Sequence, residues 1–282
     1  MQGEFTMQIK EALCKILTDQ EMEAMIWSYD RIGDILVTTI PESLEKKESL
    51  IGEVLLRAHP TIRVIGKRTS IHQGEFRTRG LQIIAGENRK ETLHKENSIQ
   101  LYLNPETVYY SVRMAGERLR LAKLIQPGER VAVLCSGVGP FPLTMAKHSK
   151  ARLIVGIEKN PTAHSFALKN VQLNKTEKRV RVYQGDANQI LPSLPHQFNR
   201  IVTVLPTDDS STLVNCSLPS LAARGTLHHY AMVNQGDTQT VTERIIRACN
   251  EHAKKISTIT THRCGHCGPR TDRFCFTVQF HN

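Results

Sequence analysis

The run Val131-Ala132-Val133-Leu134-Cys135-Ser136-Gly137-Val138-Gly139-Pro140-Phe141 decides the fold. Its first four residues are apolar, as in a strand buried on both faces of a parallel sheet. The Gly-x-Gly turn behind them lets backbone approach a ligand closely at the carboxyl edge of such a sheet. Downstream, RLIVGIE, RVRVYQ and RIVTVL are further β-rich runs, separated by helical segments such as PTAHSFALKNVQL. Strands alternating with helices indicate a parallel sheet covered on both faces. Three more apolar or β-branched runs, TLHHYAMV, STITTH and RFCFTVQF, close the chain. Upstream, VYYSVRMAGERLRLAKLI reads as a helix leading into the first strand.

Before Val108 the pattern is a smaller α/β module, which divides the chain into 1–107 and 108–282. A helix is predicted over 7–15, a strand over 32–40 ended by Pro41, and an amphipathic helix over 42–58 with acid at its start. Short strands are predicted at 63–67, 79–85 and 98–103. Lys67, Arg68, His72, Arg77 and Arg79 cluster around the first gap between them, with Glu75 the only acid nearby. Loop arginines of this kind suit phosphate or a base edge.

At 282 residues the chain accommodates two domains, and 40% hydrophobic with 23% charged residues is globular composition. The formal charge of +10 favours a polyanionic partner, because cations that neutralise phosphates release counterions. No apolar run is long enough to span a membrane. The start, MQGEFTMQIKEALCKIL, lacks the basic end and apolar block of a signal peptide, so a soluble cytoplasmic protein is expected. Seven scattered cysteines, an odd number, point to free thiols.

Glu158 ends the second β-rich run, where an acid can accept both hydroxyls of an adenosine ribose. Asp186 follows the third, placed to accept from an adenine amino group, and Leu205-Pro206 ends the fourth at the substrate edge. A dinucleotide or S-adenosylmethionine would fit a glycine turn plus a ribose acid. The dinucleotide fingerprint wants a third glycine at the helix start for its pyrophosphate, and Pro142 stands there. Together with Asp186 this favours S-adenosylmethionine.

SYDRIGDI, GEFRTRGLQIIAG, HKEN, VYYSVRMAGERLRLAKL, SGVGPF, IEKNP and NVQLNK in combination resemble the archaeal and eukaryotic type of tRNA (guanine-37-N1) methyltransferase, over nearly the whole chain from about Ser28. The resemblance implies a class I methyltransferase fold, Rossmann-like and doubly wound, behind a smaller α/β domain that contacts tRNA. It implies Glu117 as general base and Arg77 as the arginine that stabilises charge on the target guanine. Tyr109, Arg118, Gly137, Val138, Gly139, Phe141, Glu158, Lys159, Asp186, Ala187 and Pro206 would hold the cofactor. Arg113, together with the basic-loop residues Lys67, Arg68 and Arg79, would contact substrate. The expected protein is a monomer.

Two positions depart from the family. Val133 replaces an acid in the first strand, and Val204-Leu205-Pro206 replaces Asn-Leu-Pro. Loss of that polar contact weakens a site by about 1–3 kcal/mol. A sister family transfers the aminocarboxypropyl group of the same cofactor to tRNA. It has Gly-Asn where this chain has Arg113-Met114, so Arg113 favours methyl transfer. A third reading is a non-catalytic RNA-binding protein on a decayed methyltransferase scaffold.

Cys264-Gly265-His266-Cys267 has metal-style spacing, but zinc ligands usually come as two separated pairs and only one is evident, so no metal centre is expected. Cys135 reads as a packing residue and His228-His229-Tyr230 as an inner-strand element. Trp27 and the few other aromatics form no stacking platform for single-stranded RNA.

Overall fold

The computed structural model describes residues 9–195, 197–204, 211–234, 237–268 and 270–281. It separates into two compact units, Met1–Lys95 with Tyr102–Val112, and Glu96–Leu101 with Arg113–Asn282. The chain therefore crosses between units three times, twice inside the hairpin formed by β5 (Thr92–Glu96) and β6 (Ile99–Leu103).

In the first unit, helix α1 (Asp19–Ala24) opens with a capping box made by Thr18 and Glu21. A four-stranded sheet follows in the order β1 (Tyr29–Ile32), β2 (Ile35–Thr38), β3 (Val64–Arg68), β4 (Leu81–Gly86). The sequence suggests one strand over 32–40. The chain instead turns at Gly33, whose φ of 58° favours glycine, and β1 and β2 pair as a hairpin. β2 and β3 are parallel, joined through α2 (Glu48–Ala58), and β4 returns antiparallel. Residues 42–47, read as the start of that helix, form a separate 3-10 turn. Gly52 lets α2 lie close on β4, since a Cβ there would meet Ile84 and Ala85 at about 3.0–3.1 Å. The core beneath α2 includes Leu13, Leu36, Leu44, Ile51, Leu55 and Ile65.

The second unit holds a seven-stranded sheet in the order β12-β13-β11-β10-β7-β8-β9. Its strands are β7 (Arg130–Leu134), β8 (Leu153–Glu158), β9 (Val180–Gln184), β10 (Phe198–Thr203), β11 (Leu221–Asn234), β12 (Ile256–Gly268) and β13 (Thr271–Phe280). β7 to β11 are mutually parallel, whereas β13 runs antiparallel between β11 and β12. The helices are α3 (Ala115–Leu124), α4 (Pro140–His148), α5 (Pro161–Leu173), α6 (Ala187–Ser193), α7 (Ser211–Ser220) and α8 (Thr238–Glu251). The helix read from Val108 begins only at Ala115, after a 3-10 turn at Val112–Met114. This is the class I methyltransferase architecture inferred from the sequence. From β7 the chain lays strands to one side and returns to β10 on the other, so a crevice opens at the carboxyl ends beside β7. Four of the five β7 residues are buried, as a strand covered on both faces requires. No helix among the described residues is long and apolar enough to cross a membrane.

Candidate active site

The turn after β7 is built on left-handed backbone. Cys135 has φ 59°, Gly137 φ 58° and Gly139 φ 91°, and Gly139 caps α4. Cys135 holds a conformation that costs an L residue energy, a strain that persists where the surroundings over-determine it. Burial pushes its thiol up to about 12, which disqualifies it as a nucleophile near neutral pH. Asn170, fully buried, donates to the Val138 carbonyl at 3.0 Å and pins the turn from α5.

Glu158 ends β8 facing this turn. One carboxylate oxygen accepts the Gly137 N–H at 2.7 Å and the other the Asn160 N–H at 2.8 Å. The Lys159 backbone N–H also bonds the carboxylate, so of about four acceptor positions one is left for a ribose hydroxyl. Burial raises the carboxyl above its ordinary range, although the Asn160 and Gly137 N–H groups pull it back. Lys159 pairs with Asp186 at 3.0 Å, and Asp186 caps α6 through the Asn188 N–H, so its carboxyl is held below the usual range. Ser136 Oγ at the same turn is buried with no hydrogen-bond partner. The orphaned hydroxyl, the remaining acceptor position of Glu158 and the glycine turn fit an adenosine-bearing, phosphate-free cofactor. Val138 and Phe141 are buried behind the turn, and Ala187 is buried at the start of α6.

Glu117 lies in the first turn of α3 and is 7% exposed. Arg120, three residues on, grips both oxygens at 2.6 Å, and the Tyr230 hydroxyl donates to Oε1 at 2.5 Å. Three of the four acceptor positions are thereby taken. The fourth lies on the side of His262, whose Nε2 is 3.7 Å from Oε2, and of the Cys264 thiol, which bonds the carboxylate. The Tyr230 ring packs on Phe141 with centroids 5.8 Å apart, which places the carboxylate one ring from the glycine turn. Arg120 and Tyr230 were not anticipated as site residues, and Cys264 was weighed only as a zinc ligand paired with Cys267.

The remaining candidates are placed differently. Arg118 is 2% exposed and makes a two-point ion pair with Glu96 at 2.6 Å, with its guanidinium 5.9 Å from the Phe141 ring. Its charge supports the turn from behind. Arg113 lies in the 3-10 turn before α3. Val133 is fully buried in β7, and Val204 continues the ladder through its N–H to the Leu134 carbonyl. Pro206 lies outside the described residues.

In the first unit, Lys67 is 7% exposed and bonded to Glu45 and Glu48, and Arg68 is paired with Asp30 at 2.5 Å. Both expected substrate contacts are engaged in internal ion pairs. Arg77 and Arg79 are half-buried in the 69–80 loop. The Gln73 N–H to Thr78 carbonyl bond closes its tip, and Arg77 sits at φ 49°. His72 Nδ1 donates to the Arg77 carbonyl at 2.7 Å, and its ring meets Tyr109 edge-on at 5.0 Å.

Comparison with known proteins accords with this geometry. Residues 92–258 match the TRM5/TYW2 methyltransferase domain, and residues 9–89 match the TYW2 N-terminal domain. The tRNA (guanine(37)-N(1))-methyltransferase Trm5b of Pyrococcus abyssi is 34% identical over 244 residues, covering 86% of this chain and 72% of the relative. A crystal structure of wild-type Trm5b from Pyrococcus abyssi superposes with a TM-score of 0.85 at 30% identity, over 94% of this chain and 79% of that one. A tRNA(Phe) (4-demethylwyosine(37)-C(7)) aminocarboxypropyltransferase of Pyrococcus horikoshii is 31% identical over 179 residues, which is 64% of this chain and 63% of the relative. The chain belongs to the TRM5/TYW2 methyltransferase family.

Proposed function

We propose that the protein transfers the methyl group of S-adenosylmethionine to N1 of a guanosine in tRNA, at position 37 beside the anticodon. The observation that carries this reading is Glu117, a buried carboxylate oriented by three short bonds from Arg120 and Tyr230, with only the weakly bonding Cys264 thiol at its remaining acceptor position, a ring away from a turn suited to adenosine. Guanine N1 carries a proton at neutral pH and attacks only once that proton is removed. Glu117 is the base that takes it, through the acceptor position that Arg120 and Tyr230 do not use and from which guanine displaces the Cys264 thiol. Arg120 and Tyr230 fix the carboxylate's direction, so the geometry needed for proton transfer is set before substrate arrives. Negative charge developing on guanine O6 calls for a cation, a role assigned to Arg77. Its left-handed backbone is the kind of outlier found at functional positions. Glu158, Asp186 and the Gly137–Gly139 backbone hold the cofactor, which supplies an electrophilic methyl on a sulfonium. The net charge of +10 suits the tRNA partner. In this reading the enzyme is a cytoplasmic monomer.

A second reading is aminocarboxypropyl transfer to a wye-base precursor at the same position. The match of residues 9–89 to the TYW2 N-terminal domain and the absence of the family's asparagine at Val204 favour it. Arg113 and the oriented base at Glu117 favour methyl transfer. An unmodified transcript with guanosine 37 should accept label from methyl-labelled S-adenosylmethionine, and the same transcript with adenosine 37 should not. Equal labelling of both would contradict the assignment.

A further inference from the structure

Glu117 has neighbours that proton abstraction does not use. Sheet register sets Tyr230 opposite Cys275 and Cys275 opposite His262, so these side chains form one row on one face. A register shift between Arg263 and Gly265 falls at Cys264, and bulges re-aim side chains. As a result Cys264 Sγ, a His262 ring nitrogen and a Glu117 carboxylate oxygen all lie within 4.8 Å of one another.

We propose that Glu117, His262 and Cys264 form a binding site for Zn²⁺ or a similar divalent transition ion. Carboxylate, imidazole and thiolate are the three donor types zinc takes from proteins, and three protein ligands leave a fourth tetrahedral position for water. The acceptor position that Arg120 and Tyr230 do not take lies on the side of the other two donors, and the Cys264 thiol already bonds the carboxylate there. Arg120 stays in place as an outer partner that orients the carboxylate, as such groups do around metals. The His262 side chain is 52% exposed and gives the ion access. On binding, the Cys264 S–H bond breaks, the sulfur–metal bond forms, and the proton leaves to buffer. Without metal that thiol is strongly disfavoured from ionising, chiefly by burial and then by the nearby Glu117 charge, so it is no nucleophile. The sequence argument against zinc paired Cys264 with Cys267. In the fold Cys267 is exposed and His266 is held by Asp272 at 2.6 Å, while the metal donors come from α3 and β12.

The test is titration of the full-length, chelator-stripped, reduced protein with Co²⁺, a spectroscopic stand-in for Zn²⁺. One equivalent should bind, giving a thiolate-to-cobalt charge-transfer band and the visible spectrum of a tetrahedral ion, and Zn²⁺ should displace it. Cys264→Ser should abolish the charge-transfer band, and Cys267→Ser should retain it. His262→Ala should weaken affinity by more than the roughly 10- to 100-fold typical of an outer partner. Circular dichroism of each variant separates ligand loss from unfolding. No saturable band in the wild-type protein, or a band that survives Cys264→Ser, overturns the site. Because the ion takes the acceptor position assigned to the guanine proton, equimolar Zn²⁺ should also stop methyl transfer and a chelator should restore it. Binding without inhibition leaves the site standing and counts against Glu117 as base.

Discussion

Glu117→Gln separates chemistry from cofactor binding. The carboxylate has two roles: it would take the guanine proton, and it receives Arg120 on both oxygens with Tyr230 on one. An amide of nearly the same shape keeps the Tyr230 bond at the oxygen but presents N–H₂ to Arg120 Nε, so one charge-assisted bond becomes a donor facing a donor. Such a loss costs about 1.5–3 kcal/mol, and the lower end applies because the Arg120 side chain is 30% exposed and water can take up the freed donor. For a protein of this size that is a fall in Tm of roughly 2–4 °C per kcal/mol, small enough to leave a folded enzyme. The chemical step should slow far more, by the roughly 100- to 10,000-fold that general-base catalysis contributes. S-adenosylmethionine affinity should stay within about twofold, since no bond to Glu158, Gly137 or Asp186 changes. Single-turnover methyl transfer at saturating tRNA gives the rate, and calorimetry gives the cofactor Kd. A rate within twofold of wild type, or a Kd that weakens in step with the rate, would refute the base assignment.

Tyr230→Phe keeps the ring on Phe141 but removes the donor to a buried carboxylate, so thermal unfolding should register a loss of about 1.5–3 kcal/mol. Unchanged stability would mean the hydroxyl does not hold Glu117. Glu158 has a raised pKa, so its acceptor capacity is lost on acidification sooner than that of an ordinary glutamate. Calorimetry should find S-adenosylmethionine affinity falling while pH is still above the usual carboxylate range, and Glu158→Gln should bind more weakly with a flatter profile; a wild-type affinity with no such fall would contradict the ribose role. Burial depresses His229 to about 4, so it stays neutral in the folded state while the unfolded chain takes up a proton below about 6.5. The sign is destabilising as pH falls from about 6.5 to 4, by up to roughly 3 kcal/mol. His229→Gln should remove that part of the slope in denaturant unfolding across this range, and an unaltered slope would place the titration elsewhere.

The parallel sheet was legible because β7, β8 and β10 are short apolar runs punctuated by turns, and Gly137, Gly139 and Glu158 sit at fixed places relative to their ends. Local pattern failed where tertiary geometry decided. The strand read over 32–40 covers β2 and runs through the turn at Gly33, so β1 before it was missed, and β5 was missed because His94 and Lys95 break its apolar alternation. The ion pairing of Lys67 could not be read locally, because its glutamate partners lie 22 and 19 residues away. The surroundings of Glu117 were the least legible. Tyr230 is 113 residues distant, and only the register of β11, β13 and β12 brings it with His262 and Cys264 to one carboxylate. Arg120 alone was readable, because positions three apart share a helix face.

The central claim is tested most directly by incubating the enzyme with unmodified tRNA transcripts and S-adenosylmethionine, then identifying the nucleosides by mass spectrometry. The account predicts a guanosine carrying one added methyl at N1, mapped to position 37. An aminocarboxypropyl adduct on a wye-base precursor with no methylated guanosine, or no product from any tRNA, would contradict it.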